Sequence, residues 1–367
     1  MKRRSFLKLL STLSLLPGVL SAKVGSAQDL NAPIAGDKQG KAAVIEMKQL
    51  DKLTVNVLVD NTADMLSTRP AHMTSELSVL IDAGMNEMAG QSLCLAQHGL
   101  SLAVTAHFDS EAHTVLFDGG PDPDTLERNG LKTGFNFGSI EALVLTHGHF
   151  DHSEGLIRAA QLIRAQNGGK RIPLHVHPDA FAKRGLRLQD DTILPLQDVH
   201  SPEALERAGL QIKKSDKPEK ILNDMFYLSG EIPRGSFEKG LENQLRLEDS
   251  GSWVPDPLVM EERFMAAHVK GKGLAIFTGC SHAGIINICT HAQRLFPNIP
   301  LYALVGGLHL VYPNEDLIEE SIKALKEFEL KVIIPGHCTG WRAVHTLISE
   351  LGEDIVNPLA VGIRLSL

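Results

Sequence analysis

Apolar and polar residues alternate along several short segments of this chain, and most of these segments end at a turn signal. A period of two with enrichment in Val, Ile and Leu is typical of β-strands. The segment LTVNVLVDN at 53–61 shows this alternation, and IEALVL at 140–145 is apolar enough for a buried strand. The pattern predicts strands at 53–61, 99–108, 113–118, 140–145, 172–177, 301–307 and 331–336, and a hairpin over 265–279.

Other segments carry apolar residues at helical spacing. In 153–169, Leu156, Ala160 and Ile163 recur at this spacing, and a Gly-Gly pair ends the segment. The same criteria predict helices at 153–169, 284–296, 315–328 and 341–352. The early strands follow one another, whereas the later strands alternate with helices. We therefore expect one domain over 51–367, preceded by a leader at 28–50 and interrupted at about 184–257, where the pattern weakens, by an insertion or lid.

The first 27 residues have the composition of an export signal. Three basic residues are followed by an apolar stretch from Leu9 to Leu20 and then by small residues. About 12 apolar-rich positions are too few for a permanent transmembrane helix. The run at 3–8, RRSFLK, resembles the twin-arginine signal, which a translocase reads to export folded proteins. We expect a periplasmic or secreted protein that uses this translocase as a partner and keeps no membrane anchor after cleavage at Ala22 or Ala27.

The charge of the chain argues against nucleic-acid binding. The formal net charge is −8, and removal of 1–27 would take away five positive charges and no negative ones, which leaves about −13. A protein that binds nucleic acid through its phosphates needs a basic surface, which a chain of this charge is not expected to have. We therefore expect a small-molecule substrate as the partner. Four cysteines could form two disulfides, but Cys280 and Cys338 lie in histidine-containing loops and Cys94 and Cys289 in apolar surroundings, so we predict no disulfide framework.

Histidine is the unusual residue in the composition, with 16 copies beside only three tyrosines and two tryptophans. Three of them and one aspartate fall within the run THGHFDH at 146–152, directly after a predicted buried strand. On an extended turn, His147 and His149 can point to one side, and Asp151 and His152 can turn toward a second point nearby. This arrangement suits two cations a few ångströms apart. A chance polar loop would rarely place four ligand-type side chains at this spacing.

The run resembles the HxHxDH signature of the metallo-β-lactamase superfamily. Segments similar to other motifs of that superfamily occur in the same order along the chain. VLFDGG at 115–120 is similar to its first motif, IFTGCSH at 276–282 to a later motif that supplies a metal ligand, and IIPGH at 333–337 to its last motif. The resemblance implies an α/β fold, an αββα sandwich of two mixed β-sheets flanked by helices. Shorter segments resemble one subgroup, the dihydropterin and aminobenzene ribosyl phosphate synthase-like proteins: LVDN at 58–61, HGLS at 98–101, SGEIPR at 229–234, GGLH at 306–309 and GHCTG at 336–340.

The resemblance also implies a site. It places two divalent metal ions there, with zinc expected and manganese or iron left open. His147, His149 and His282 would hold one ion, and Asp151, His152 and His337 the other. Cys280 stands where the superfamily often has a bridging aspartate and is either a ligand or a packing residue. Asp118 would orient the loop 146–152, and Asp151 and His309 are the candidate catalytic residues. The weaker candidates for supporting or substrate-binding roles are Asp60, Asn61, His98 and Glu231.

These residues predict an exported hydrolase in which hydroxide bound to two metals attacks a small ester, phosphoester or amide. Two alternatives stay open. The subgroup resemblance implies a transferase-like reaction that joins a pterin to an aminobenzene ribosyl phosphate. A metal- or ligand-binding protein without turnover would use the same ligand set.

Overall fold

The computed structural model describes residues 45–367. The predicted export signal at 1–27 and most of the predicted leader at 28–50 lie outside these residues, so export and cleavage stay predictions. Within the described part, no helix combines the length and apolar character that a membrane crossing requires.

The strands and helices of the described residues are labelled here in chain order. The strands are β1 Gln49–Leu50, β2 Lys52–Val59, β3 Met73–Thr74, β4 Ser101–Phe108, β5 Glu111–Phe117, β6 Ile140–Val144, β7 Ile172–Val176, β8 Arg184–Arg187, β9 Ile193–Pro195, β10 Leu210–Lys214, β11 Glu219–Ile221, β12 Phe226–Leu228, β13 Gln244–Leu247, β14 Trp253–Pro255, β15 Met265–Val269, β16 Gly273–Thr278, β17 Leu301–Gly307, β18 Val332–Gly336 and β19 Arg364–Ser366. The α-helices are α1 Glu76–Asp82, α2 Pro123–Lys132, α3 Phe150–Ser153, α4 Leu156–Gln166, α5 Pro202–Ala208, α6 Ile285–Leu295, α7 Ile318–Lys326 and α8 Trp341–Leu351. Every predicted strand is confirmed, with small shifts at the ends.

Two large mixed sheets form the centre of the fold. One has eight strands in the order β10-β7-β6-β5-β4-β2-β19-β3, and the other has β11-β12-β15-β16-β17-β18 with β1 beside β15. The strands from β10 to β5 run parallel, as do β16, β17 and β18, and the remaining pairs of the two main orders are antiparallel. Parallel neighbours end at the same edge of a sheet, which brings the loops after them together.

The inner faces of the two sheets pack against each other. Along β5, Val115 and Phe117 belong to the central core, whereas Leu116 belongs to the cluster on the outer side. Phe117 meets Phe277 of β16 across the interface, with ring centroids 6.3 Å apart. This division follows from the period of two, which turns successive side chains to opposite faces of a strand.

Helices cover both outer faces. Leu126 of α2, Ile163 of α4 and Leu205 of α5 are buried with outward-facing residues of the eight-stranded sheet. On the other sheet, α6, α7 and α8 bury apolar residues such as Ile322 and Leu347 with the outward side chains of β16 to β18. The order of layers is helix, sheet, sheet, helix, so the predicted αββα sandwich is confirmed.

The segment 184–257 is more regular than its sequence pattern indicates. Its middle part supplies β10 to the eight-stranded sheet and β11 and β12 to the other sheet. The strands β8, β9, β13 and β14 form a separate four-stranded antiparallel sheet. These strands are three or four residues long, so an alternating pattern has too few positions to become visible.

The helix predicted at 153–169 is divided in the structure. The short helix α3 ends at Ser153, and α4 begins at Leu156. Gly155 between them passes so close to the carbonyl oxygen of Gly119 that a Cβ atom at this position would collide with it. Its own N–H donates to the Gly120 carbonyl at 3.3 Å. The break between α3 and α4 therefore allows the chain after His152 to pack closely against the backbone that follows β5.

Candidate metal centre

The loop Thr146–His152 follows β6 and is fixed by one carboxylate. Asp118, at the end of β5, accepts hydrogen bonds from the Thr146 N–H and the Thr146 hydroxyl, both at 2.8 Å. Its Oδ2 also lies 2.6 Å from Nδ1 of His152. All three residues are fully buried. Asp118 therefore holds the start and the end of the loop and leaves Nε2 of His152 as the free ring nitrogen, as the sequence predicts for an orienting residue.

Three histidines form a first group beside this loop. Nδ1 of His149 lies 3.2 Å from Nε2 of His147 and 3.2 Å from Nε2 of His282. Ligands about 2.0–2.1 Å from a tetrahedral zinc ion are separated by about 3.3 Å, which agrees with this spacing. The three imidazoles therefore fit one divalent cation.

A second group lies next to the first. It contains Asp151, His152, Cys280 and His337, all of them buried. His152 Nε2 is 3.2 Å from Cys280 Sγ and 3.1 Å from His337 Nε2. Asp151 Oδ2 is 3.3 Å from His337 Nε2. Nitrogen, oxygen and sulfur atoms at these separations form a suitable ligand set for a borderline-soft cation such as zinc. The structure thus brings together the six residues that the sequence assigned to the two ions, and it places Cys280, which the sequence left open as a ligand or a packing residue, in the second group.

The protonation states of most of these side chains agree with ligand chemistry; the exception is His152, for which burial lowers the pKa but Asp118 and Asp151 raise it above the ordinary value. Burial lowers the pKa of His149 to about 3 and holds the pKa values of His147 and His282 well below the ordinary value. Burial alone would raise the pKa of Asp151, but His152 and His337 hold that pKa well below its usual range. Neutral imidazoles and an ionised carboxylate are the forms that bind metals. Burial and the neighbouring Cys338 raise the pKa of the Cys280 thiol, so only a bound cation would make it a thiolate.

Four residues around the two groups have a positive φ although none is glycine. They are Asp118 at 61°, Ser281 at 69°, His309 at 41° and His337 at 47°. Each lies just after a strand, or within three residues of its end. A left-handed conformation costs a non-glycine residue about 1–3 kcal/mol, and such residues cluster at functional sites. The turns at these four residues direct the side chains that follow the strands toward the two ligand groups.

Asp60 and Asn61, at the end of β2, support His337. The Asp60 carboxylate accepts the His337 N–H at 2.8 Å, and Asn61 Oδ1 lies 3.1 Å from His337 Nδ1. Burial raises the pKa of Asp60 to about 6. These contacts stabilise the left-handed turn and leave Nε2 of His337 for the second group. Both residues therefore act on the site through His337.

The other sequence candidates differ in position. His98 is exposed at the edge of the second group, with Nε2 3.5 Å from Asp151 Oδ2. His309 packs on His282 with ring centroids 4.6 Å apart, and its Nδ1 is buried without a partner. Glu231 instead faces His177 at 3.5 Å and belongs to neither group. His98 and His309 thus lie at the site, whereas Glu231 contacts a histidine outside it.

The run Glu261-Glu262-Arg263 was not singled out from the sequence, although it braces the site. Glu261 accepts the Gly148 N–H at 2.8 Å, between His147 and His149. Arg263 N–H donates to the Thr146 carbonyl at 3.2 Å. Glu262 accepts the N–H of Ala283, the residue after His282. Each of the three is only 1% exposed. A charged run usually indicates a solvated surface, so only the tertiary contacts identify this one.

We expect Asp118→Asn to weaken metal binding by about 10–100-fold, the usual effect of losing a residue that orients a metal-binding histidine. The amide keeps one acceptor for the loop but no longer offers two carboxylate oxygens to Thr146 and His152. Competition with a chromogenic chelator measures the affinity directly. Asp124→Asn, on the exposed first turn of α2, is the matched control and should leave the affinity unchanged. Equal affinity of the two variants would contradict the orienting role.

Comparisons with known proteins give a consistent result. No family model matches the chain. A curated protein of Methanocaldococcus jannaschii, 7,8-dihydropterin-6-methyl-4-(β-D-ribofuranosyl)-aminobenzene-5'-phosphate synthase, is 30% identical over 262 residues, which cover 71% of this chain and 86% of that protein. An uncharacterized protein of the same organism is 32% identical over 266 residues, covering 71% and 90%.

A solved structure described as a metal-dependent hydrolase of the β-lactamase superfamily shares the fold. It superposes with a TM-score of 0.62 at 24% identity and covers 85% of this chain and 98% of its own. The fold, the order of the motifs and the extent of the sequence match agree. The chain has the metallo-β-lactamase fold and belongs to the family of the dihydropterin-ribosylaminobenzene phosphate synthase.

Proposed function

We propose that this protein is a metal-dependent hydrolase of small esters, phosphoesters or amides. The observation that carries the proposal is the pair of adjoining ligand groups, which share the loop 147–152 and in each of which the ligand atoms lie within 4.8 Å of one another. Two divalent cations bound there would polarise the substrate and lower the pKa of water. Zinc suits the nitrogen and sulfur ligands, while manganese or iron are the alternatives to be tested.

The protein's own residues would position the reactants. Asp151 is ionised and lies 3.5 Å from the exposed His98, so its carboxylate can accept a hydrogen bond from a water molecule at the edge of the site. His309, whose ring packs on that of His282, would donate to an oxygen of the substrate that gains negative charge. In this proposal Asp151 orients the nucleophile and His309 stabilises the substrate oxygen that gains charge.

A second candidate is a synthase-like reaction. It is supported by the 30% identity with the curated synthase. That protein's name implies a reduced pterin and a ribosylaminobenzene phosphate as reacting partners. The two candidates use the same metal centre but differ in whether water or a second organic molecule attacks.

The test begins with chelator-stripped protein that is reloaded separately with zinc, manganese or ferrous iron. Each form is assayed with p-nitrophenyl phosphodiesters, carboxylic esters and anilides, and in parallel with the pterin and ribosylaminobenzene pair. We expect hydrolysis of at least one class that is lost on chelation and restored by metal. Product from the pterin pair without hydrolysis would favour the synthase. Stoichiometric metal binding without either reaction would show a binding protein and overturn the proposal.

A further inference from the structure

A cavity of about 790 Å³ lies between the small four-stranded sheet and the loop that follows His309. Binding sites for drug-sized molecules typically have about 300–1,000 Å³. One wall comes from the end of β8, the two residues after it and the segment before β13, and the other from the loop and helix start at 312–320. Six of the lining residues carry its chemistry: Arg187, Leu188, Phe237, Lys239, Tyr312 and Leu317. None of the lining residues belongs to the two ligand groups.

Each wall contacts a segment that follows a histidine of the site. On one wall, Asn314 donates from Nδ2 to the backbone carbonyl of His309 at 3.4 Å. On the other, Phe237 and Lys239 flank Glu238, whose carboxylate accepts the N–H of Ile286 in the first turn of α6. Helix α6 begins three residues after His282. The cavity is therefore framed by the segments that carry His282 and His309, the pair whose rings pack together.

The lining combines large apolar surfaces with a polar edge. Tyr312 is 69% exposed and Leu188 is 42% exposed, on opposite walls. Large apolar side chains that stay exposed around a concave surface indicate a binding site. Basic Arg187 and Lys239 alternate with acidic side chains such as Glu242, so the edge offers both donors and acceptors. Such a lining suits a flat aromatic ring that carries polar substituents.

We propose that this cavity binds the aromatic portion of the substrate while its reacting group lies at the metal centre. This inference rests on the proposed function, because it deepens the description of the same site. It makes the small sheet and the loop 312–320 the part of the protein that selects the substrate. The ring would pack between Tyr312 on one wall and Leu188 on the other.

The test uses two uncleavable probes, 1-naphthylmethylphosphonate and methylphosphonate, and measures their dissociation constants calorimetrically with metal-loaded full-length protein. We expect the naphthyl probe to bind the unchanged protein at least tenfold more tightly than methylphosphonate. Tyr312→Ala and Leu188→Ala should each remove most of this gain and leave methylphosphonate binding unchanged. Both side chains are exposed, so neither truncation opens a gap in the core.

The matched control is Trp341→Ala. Trp341 is an aromatic residue with 73% exposure at the start of α8, and it does not line the cavity. It should keep the full gain from the naphthyl ring. Equal loss in this variant, or no gain in the unchanged protein, would overturn the cavity assignment. Because binding is measured without turnover, ring-dependent binding in a protein that hydrolyses nothing would contradict the proposed hydrolase while leaving the cavity in place.

Discussion

Replacing His147 and His149 together with alanine should reduce the bound metal from two ions to one or none and lower kcat/KM by at least about a thousandfold. The change removes two of the three imidazoles of the first group and leaves His282 alone, which cannot hold a divalent cation by itself. Loss of several kcal/mol of charge stabilisation corresponds to about three or more powers of ten in rate. Elemental analysis and steady-state kinetics on the best substrate measure both effects.

His345→Ala is the control for this variant. His345 is an exposed histidine on α8 that belongs to neither group, so metal content and kinetics should stay at the level of the unchanged protein. Thermal unfolding distinguishes loss of metal from loss of the fold, because His147 and His149 lie outside the strands of the two large sheets. Full activity in the double variant would refute the role of the first group.

Most of the site could be predicted from sequence because its residues are concentrated after strands. The strands β5, β6, β16, β17 and β18 have clear apolar patterns, and the polar residues directly after them include Asp118, His147, Cys280, His309 and His337. Parallel strands bring such positions to a common edge, so local patterns were enough to place distant residues together. Glu231 stays a prediction, because its segment resembles a family motif while its side chain faces His177, outside the two ligand groups.

Elements without a strong apolar pattern were missed. The helices α1, α2 and α5 have seven, ten and seven residues and were not predicted. Their first residues do carry signals, since Asp122 and Ser201 each cap a helix that begins with proline. The bracing role of Glu261 had no local signal, because it depends on a contact with Gly148, 113 residues away in the sequence.

Glu261→Ala should destabilise the protein by about 3–5 kcal/mol, measured by urea unfolding at pH 8. Glu261 and Arg184 form an ion pair with Nη2 and Oε1 2.9 Å apart, and their side chains are only 1% and 3% exposed. Burial raises the pKa of Glu261 to about 7, so the carboxylate is ionised at pH 8. The alanine leaves the permanently charged guanidinium inside the protein and leaves the Gly148 N–H without its acceptor.

Two further variants separate burial from the ion pair as such. Glu350→Ala breaks the Lys326–Glu350 pair, which has a similar separation of 2.8 Å but side chains that are 42% and 52% exposed, and should cost less than about 1 kcal/mol. Glu261→Gln keeps an acceptor for Gly148 and should hold metal more tightly than Glu261→Ala, because the loop between His147 and His149 stays anchored. Asp256, 3.6 Å from Nε of Arg184, remains in both variants and compensates part of the charge. If Glu261→Ala lowered the free energy of unfolding no more than Glu350→Ala does, the buried pair would not stabilise the loop 146–152. Asp118 and the strand ends alone would then have to anchor that loop.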